Sequence, residues 1–196
     1  DRKQGKTPVD GGTGAIIDHA DVRRMLATMK AELFAARAIA LSCAVAIDMA
    51  RATDDADWPT RAAFLTPIAK AFGTDFGCEV ASIGIQIHGG MGFVEETGAA
   101  QHYGDARIAP IYEGTNGIQA ADLVGRKLTG DGGAGMATLI ADVRAEADDA
   151  RLIALTHLVE KLTAHLLEVD VDDRLAASYP YLTMVSVMTC GWLMER

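Results

Sequence analysis

The sequence predicts an all-α protein, because its apolar residues recur at helical spacing and no segment alternates convincingly as a strand would. Alanine is abundant over long stretches, whereas aromatic residues make up only 6% of the chain. Alanine loses no side-chain entropy in a helix, so this composition favours closely packed helices. With 196 residues, of which 49% are hydrophobic, the chain is long enough to bury one sizeable core.

The first long helix is predicted to begin after Asp18, which can cap it, and to end near Ala52. Its apolar positions form one stripe: Val22, Met25, Leu26, Met29, Leu33 and Ala36. From Ala38 to Ala46 nearly every residue is apolar, so this half is expected to lie inside a bundle. The polar, glycine-rich residues 1–18 predict a loop before the helix.

A second helix is predicted from Pro67 to about Ile87, after a linker at 53–57, because proline at the first helical position loses no hydrogen bond. One face of this helix carries only small residues: Gly73, Gly77, Ala81 and Gly84. Each helical glycine costs about 1 kcal/mol, so the face predicts that another backbone passes very close. The glycine-rich segment 88–93 is predicted to end the helix without regular structure.

The rest of the chain predicts further helices joined by short turns. A short helix is expected at 96–105 and an extended segment at 107–111. The later helices are expected at 114–128, 136–149, 152–168 and 179–194, with a turn at 131–135. The chain begins without methionine and stops within a helical pattern, so we expect a piece of a longer protein.

Charge and apolar patterning argue against two classes of partner. The formal net charge of −9 and the absence of a basic stripe argue against nucleic-acid binding. The longest apolar run, Ala38–Ala46, is interrupted by Ser42 and is far shorter than the about 20 residues of a membrane span. The three cysteines, Cys43, Cys78 and Cys190, are typical of free thiols in a reducing compartment, so we expect a cytoplasmic protein.

The histidines and one glycine-rich loop are further candidates for binding sites. The five histidines include no i,i+4 pair and have no cysteine partners, so no metal site is predicted. The loop around Gly89 and Gly90 can let a backbone approach a phosphate, but it matches no nucleotide fingerprint. A helix C-cap is the better explanation of these glycines when they are taken by themselves.

Glu113 is the strongest candidate for catalysis, because it lies where a segment without helical pattern turns into a helix. Apolar neighbours on one side would make its carboxylate a stronger base. The first free N–H groups of the helix, with Thr115 and Asn116, can receive an anion or a carbonyl oxygen. Judged by itself, such a glutamate is more often a solvated residue near a helix start.

Taken together, four segments resemble the C-terminal domain of the acyl-CoA dehydrogenase family. They are Arg2–Gln4, Gln86–Phe93, Asp105–Arg107 and Ile111–Gln119, in the family's order and spacing. The resemblance implies a helical bundle of that domain type in residues 1–130. Residues 131–196 resemble, more loosely, the extra C-terminal helices of longer bacterial members that act on long-chain or 3-methylmercaptopropionyl thioesters.

The resemblance also implies a role for each matching residue. Glu113 would remove the α-proton of an acyl-CoA while a hydride leaves the β-carbon for FAD, and its backbone N–H would help to hold the thioester oxygen. Tyr112 and Gly114 would contact the substrate. The FAD contacts implied are Arg2, His19, Gln86, Gly89, Gly90, Thr115 and Asn116, several of them to an FAD held largely by a neighbouring subunit.

At the level of the whole protein, the resemblance implies a flavoprotein oxidoreductase of fatty acid metabolism that forms homodimers or homotetramers. Electron-transfer flavoprotein would be its electron acceptor. The family's N-terminal helical and middle β domains are absent from this chain, so we expect the chain by itself to be inactive and without FAD. Two alternatives stay open at this point: an acyl-CoA oxidase that uses oxygen, and a helical oligomerisation scaffold without catalysis.

Overall fold

A computed structural model describes residues 2–196, and within this part of the chain the secondary structure is helical with no strand. The all-α prediction is confirmed. The helices are α1 (Ala20–Ala52), α2 (Asp57–His88), α3 (Gly90–Phe93), α4 (Ala99–Ala106), α5 (Asn116–Asp122), α6 (Leu128–Gly130), α7 (Ala134–Glu146), α8 (Ala150–Glu168), α9 (Val171–Ala176) and α10 (Ser178–Glu195). A π-helical turn, Leu123–Lys127, joins α5 to α6.

The contacts divide the chain into two compact units. The first comprises residues 2–34 and Phe76–Arg107, and the second comprises Ala35–Asp75 and Ile108–Arg196. Helices α1 and α2 each contribute one part to each unit. These units differ from the predicted segments 1–130 and 131–196, and that predicted division stays a prediction.

In the second unit, α10 packs against α5, α7 and α8 around a common core. The inner face of α8 carries Leu152, Val159 and Leu166, all of which are buried. Buried threonines in helices are tolerated here because each hydroxyl donates to a carbonyl of the preceding turn. The Thr163 hydroxyl also lies 2.6 Å from that of Tyr181, which is 2% exposed, so α8 and α10 share a buried hydrogen bond.

Helix α2 begins at Asp57, so the predicted start at Pro67 is wrong. Proline inside a helix removes the N–H that would bond to the carbonyl four residues earlier, which here belongs to Ala63. The ammonium group of Lys127 donates to that carbonyl oxygen instead. A residue distant in sequence thus compensates for the missing bond and lets the helix continue through the proline.

Four further local features differ from the prediction. Residues 90–93, predicted to lack regular structure, form one helical turn, α3. Residues 107–111, predicted to be extended, form turns. The helix predicted at 96–105 is divided into a 3₁₀ turn, Glu95–Thr97, and α4. Helix α9 was not predicted, although Asp170 caps it by accepting a hydrogen bond from the Asp173 N–H at 3.0 Å.

The small-residue face of α2 does not contact another helix within this chain, so the predicted close contact is wrong for the chain by itself. No heavy atom outside the helix backbone lies within 4 Å of a Cβ placed at Gly73, Gly77 or Gly84. In the first unit, Gly77 and Gly84 line an open pocket of about 470 Å³. Small residues permit a close approach of backbones, but they do not require one.

Helix α1 exposes large apolar side chains: Leu26, Leu33, Phe34, Leu41 and Val45. One stretch of it has a mean hydropathy of 1.8 and is only 22% buried, so by length and composition the helix could cross a membrane. The longest uninterrupted apolar run is shorter than this stretch, because isolated polar residues interrupt a run but change little in the hydropathy averaged over a helix. Core helices of soluble proteins meet the same criterion, so the absence of a membrane span stays a prediction.

Two carboxylates of the first unit interact unfavourably. Burial, and to a smaller extent the negative charge of Glu79 on α2, together raise the pKa of Glu32 to about 7. The Glu32 Oε2 atom is buried and has no hydrogen-bond partner among the residues that the structure describes. Ionised Glu32 therefore opposes folding.

Replacing Gly77 by alanine is expected to raise the free energy of unfolding by about 0.5–1 kcal/mol, since alanine is the better helix former and nothing obstructs its methyl group. Gly135→Ala is the matched control, because its Cβ would collide with Phe64 and Thr60 and should lower that free energy by about 1–3 kcal/mol. Urea unfolding followed by circular dichroism measures both. A loss of stability in Gly77→Ala would show that another backbone does pack on this face.

Replacing Glu32 by glutamine is expected to stabilise the chain increasingly as the pH rises from about 4.5 to above 7. The folded pKa is about 7 and lies above the ordinary value of 4.5, so the folded chain binds more protons in this range and its stability falls with rising pH. Glutamine cannot ionise and removes that fall. Urea unfolding at several pH values tests this, and parallel curves for the variant and the wild type would contradict it.

Candidate functional site

The segment between α4 and α5 is a compact loop closed by backbone hydrogen bonds. The N–H groups of Ile111 and Tyr112 donate to the Ile108 carbonyl at 2.9 and 3.1 Å. The Asn116 N–H donates to the Pro110 carbonyl at 2.9 Å, which joins the first residue of α5 to the beginning of the turn. This closed loop carries Glu113 at its tip.

Glu113 has a φ of +54° and is the one non-glycine residue with a positive φ in residues 2–196. Left-handed backbone costs a residue other than glycine roughly 1–2 kcal/mol. Such residues persist only where the surrounding structure enforces them, and they cluster at functional sites. The next residue, Gly114, has a φ of +81°, which glycine adopts readily. The conformation of this loop therefore points to a function for Glu113.

The Glu113 side chain is exposed, as are those of Tyr112 and Thr115. The apolar surroundings predicted for the carboxylate are therefore not provided by this chain. No acceptor among the described residues takes the backbone N–H of Glu113. Thr115 caps α5, since its Oγ1 accepts a hydrogen bond from the Ile118 N–H at 3.1 Å. The site thus offers an exposed carboxylate and a free N–H on one turn.

Asn116 is only 3% exposed, and its side-chain amide is held by residues of α2. Its Nδ2 donates to Asp75 Oδ1 at 2.8 Å and to Thr74 Oγ1 at 2.9 Å, and it lies 3.3 Å from the Ala71 carbonyl oxygen. Its Oδ1 accepts a hydrogen bond from Lys70 Nζ at 2.7 Å. The FAD contact predicted for Asn116 stays a prediction, but in this structure the amide anchors the Glu113 loop to α2.

Sequence reasoning missed the other members of this anchor cluster, which consists of Lys70, Thr74, Asp75, Asn116 and Tyr179. Burial lowers the pKa of Lys70, while the negative charge of Asp75 opposes that shift. The second oxygen of Asp75 accepts a hydrogen bond from the Tyr179 hydroxyl. The signal in the sequence was a polar stripe on this helix, formed by Asp75, Glu79, Ser82 and Gln86, of which Asp75 belongs to the cluster.

The first unit contains a separate set of predicted residues around Arg2. The Arg2 guanidinium donates to the Ile87 carbonyl at 2.8 Å and to the side chain of Gln4. It occupies the space that a Cβ at Gly89 would fill, and Gly89 has a φ of +62°. His19 Nε2 lies 3.3 Å from the Gln4 carbonyl oxygen. The structure thus brings Arg2, His19 and Gly89 into one neighbourhood.

This neighbourhood has the chemistry that a phosphate-bearing cofactor needs. The Arg2 side chain is exposed and positively charged, and it lies against a glycine backbone that no Cβ screens. Gly90 and Gln86 are exposed, and nothing lies within 4 Å of a Cβ placed at Gly90. The residues present are therefore compatible with the pyrophosphate half of FAD. In residues 2–196, no three potential metal ligands lie close together.

Comparison with known proteins identifies the family. Residues 6–128 match the family described as acyl-CoA dehydrogenase, C-terminal domain. The chain is 42% identical to the 3-methylmercaptopropionyl-CoA dehydrogenase of Ruegeria pomeroyi, over 98% of this chain and 36% of that protein. It is 39% identical to a butyryl-CoA dehydrogenase of Syntrophomonas wolfei, over 65% of this chain and 22% of that protein.

A solved structure, the apo form of Bd2924, has the same fold. It superposes with a TM-score of 0.80 over 97% of this chain and 36% of its own length, at 19% sequence identity. The chain thus spans about a third of the length of the proteins that match it along its whole extent. The profile match to the C-terminal domain and the identity to a dehydrogenase over nearly every residue show that the chain belongs to the acyl-CoA dehydrogenase family.

Proposed function

We propose that the full-length protein carries out FAD-dependent α,β-dehydrogenation of an acyl-CoA thioester, with Glu113 as the base. The observation that carries this proposal is the left-handed, closed loop that presents Glu113. The named activities of the relatives from Ruegeria pomeroyi and Syntrophomonas wolfei support an acyl-CoA substrate.

In this proposal Glu113 accepts the α-proton of the substrate. The backbone N–H of Glu113 holds the thioester oxygen, which stabilises the negative charge that develops as the α-proton leaves. Tyr112 and Gly114, on either side of the base, contact the substrate. FAD, when bound, supplies the acceptor for the hydride that leaves the β-carbon.

Arg2, Gly89 and Gly90 would hold the phosphates of an FAD bound largely by a neighbouring subunit, with His19 and Gln86 beside them. Thr115 remains exposed and is proposed as a further contact. Asn116 would act on the site by holding the loop, because its amide is buried. The chain carries only part of such a site, and a partial site cannot offset the entropy lost on immobilising the cofactor, so we expect the chain by itself to retain neither FAD nor activity.

The exposed apolar face of α1 supports assembly, since large apolar patches on soluble proteins are usually covered by a partner. We therefore extend the proposal to a homodimer or homotetramer that works in the cytoplasm. Electron-transfer flavoprotein is the proposed electron acceptor, and steady production of peroxide in air would instead identify an oxidase.

Replacing Glu113 by glutamine in the full-length protein is expected to slow reduction of the flavin by acyl-CoA about 10²–10⁴-fold, because the amide cannot accept the α-proton. The flavin content should remain near that of the wild type, since the shape of the side chain is preserved. Bleaching of the flavin absorbance after anaerobic mixing with butyryl-CoA or 3-methylmercaptopropionyl-CoA measures the rate.

The matched control is Glu96→Gln, which neutralises another exposed glutamate in a different element and should leave the rate unchanged. A Glu113→Gln rate within about threefold of the wild type, well below the effect of a positioned general base, would show that Glu113 is not the base.

A further inference from the structure

Helix α10 lies outside the family-matched residues 6–128, yet it packs directly against α5, which begins at Asn116. Tyr179 stands in the first turn of α10, and its hydroxyl donates a hydrogen bond to Asp75 Oδ2 on α2. The C-terminal helices therefore reach the cluster that anchors the Glu113 loop.

A continuous series of hydrogen bonds connects α10 to that loop. Tyr179 donates to one oxygen of Asp75, and the Asn116 amide donates to the other at 2.8 Å. The backbone N–H of Asn116 then holds the Pro110 carbonyl at 2.9 Å and closes the loop around Glu113. Each carboxylate oxygen of Asp75 thus has its own donor, and the two donors lie on different helices.

The charge of Asp75 makes this arrangement sensitive to the loss of one donor. A partly buried carboxylate is stable only when hydrogen bonds and an opposite charge compensate it. Lys70 supplies the charge and also donates to Asn116 Oδ1 at 2.7 Å. Without the Tyr179 hydroxyl, Asp75 must find another donor, either water or one of the groups that already hold Asn116.

We propose that Tyr179 is a positioning residue for Glu113 and acts through Asp75 and Asn116. The inference rests on the proposed function, because it assigns Tyr179 to the reaction of that site. It gives the C-terminal helices a part in catalysis: they hold the base loop in its left-handed conformation from outside the family-matched domain.

Tyr179→Phe in the full-length protein tests the proposal, since it removes the hydroxyl and keeps the ring. Flavin reduction by butyryl-CoA under anaerobic conditions is expected to slow about tenfold, as a displaced catalytic group loses rate steeply with small shifts. The KM for butyryl-CoA and the flavin content should not change. Amide hydrogen exchange in a peptide that covers residues 108–118 should become faster, and this readout does not depend on activity.

Tyr181→Phe is the matched control, because Tyr181 lies in the same helix and its hydroxyl donates a buried hydrogen bond at 2.6 Å to Thr163, whose own proton goes to the Val159 carbonyl. This variant should lower the melting temperature at least as much as Tyr179→Phe. It should leave the rate of flavin reduction and the exchange of the loop amides unchanged. If Tyr179 has only a structural role, the two variants should show the same rate of flavin reduction and the same exchange of the loop amides.

A Tyr179→Phe rate within about twofold of the wild type, far below the loss that a misplaced group causes, would overturn the proposal. Unchanged exchange of the loop amides would also overturn it. If Tyr179→Phe does not fold, Asp75→Asn breaks the same connection from α2, and a wild-type rate in that variant would be equally decisive. If Glu113→Gln keeps its rate, the proposed function fails, whereas loop exchange still reports whether Tyr179 holds the loop.

Discussion

The buried amide of Asn116 is the interaction on which the candidate site depends. A polar group that is removed from water must find its hydrogen bonds within the protein, and Asn116 finds them all on α2. Its backbone N–H closes the Glu113 loop at the same time. One residue therefore sets both the position of the loop and its curvature, and the left-handed backbone of Glu113 follows from that closure.

Helix α2 also holds the far end of the segment that begins at Asn116, again through a side-chain hydrogen bond. The proline at position 67 leaves the Ala63 carbonyl without its helical donor, and Lys127 supplies one. Lys127 also lies 3.5 Å from Asp122, and burial lowers the pKa of its ammonium group. The segment from Asn116 to Lys127 is thus attached to α2 at both ends by polar groups of low exposure.

The C-terminal helices share the core of the second unit with the part of α2 that carries these anchors. Their packing is largely apolar, as in the buried face of α8, but their contact with Asp75 is polar. In our proposal, this polar contact is how a segment outside the family-matched residues acts on the candidate site. Burial of apolar surface stabilises the fold but does not depend on the orientation of particular groups. The hydrogen bond from Tyr179 does, because it occupies one oxygen of Asp75 and leaves the other for the Asn116 amide.

The sequence by itself determined the helical class, the extents of α1, α8 and α10 to within a few residues, and the family motif around Glu113. These features are local, because helical periodicity and a short motif are read within a few turns of chain. Only the tertiary structure decided that α2 continues through Pro67, that its small-residue face stays open within the chain, and that Asn116 is an anchor. Each of these outcomes depends on contacts with residues that are distant in sequence. Asp75, for example, accepts the Asn116 hydrogen bond from a position 41 residues away. Local helix propensity carries no information about such partners.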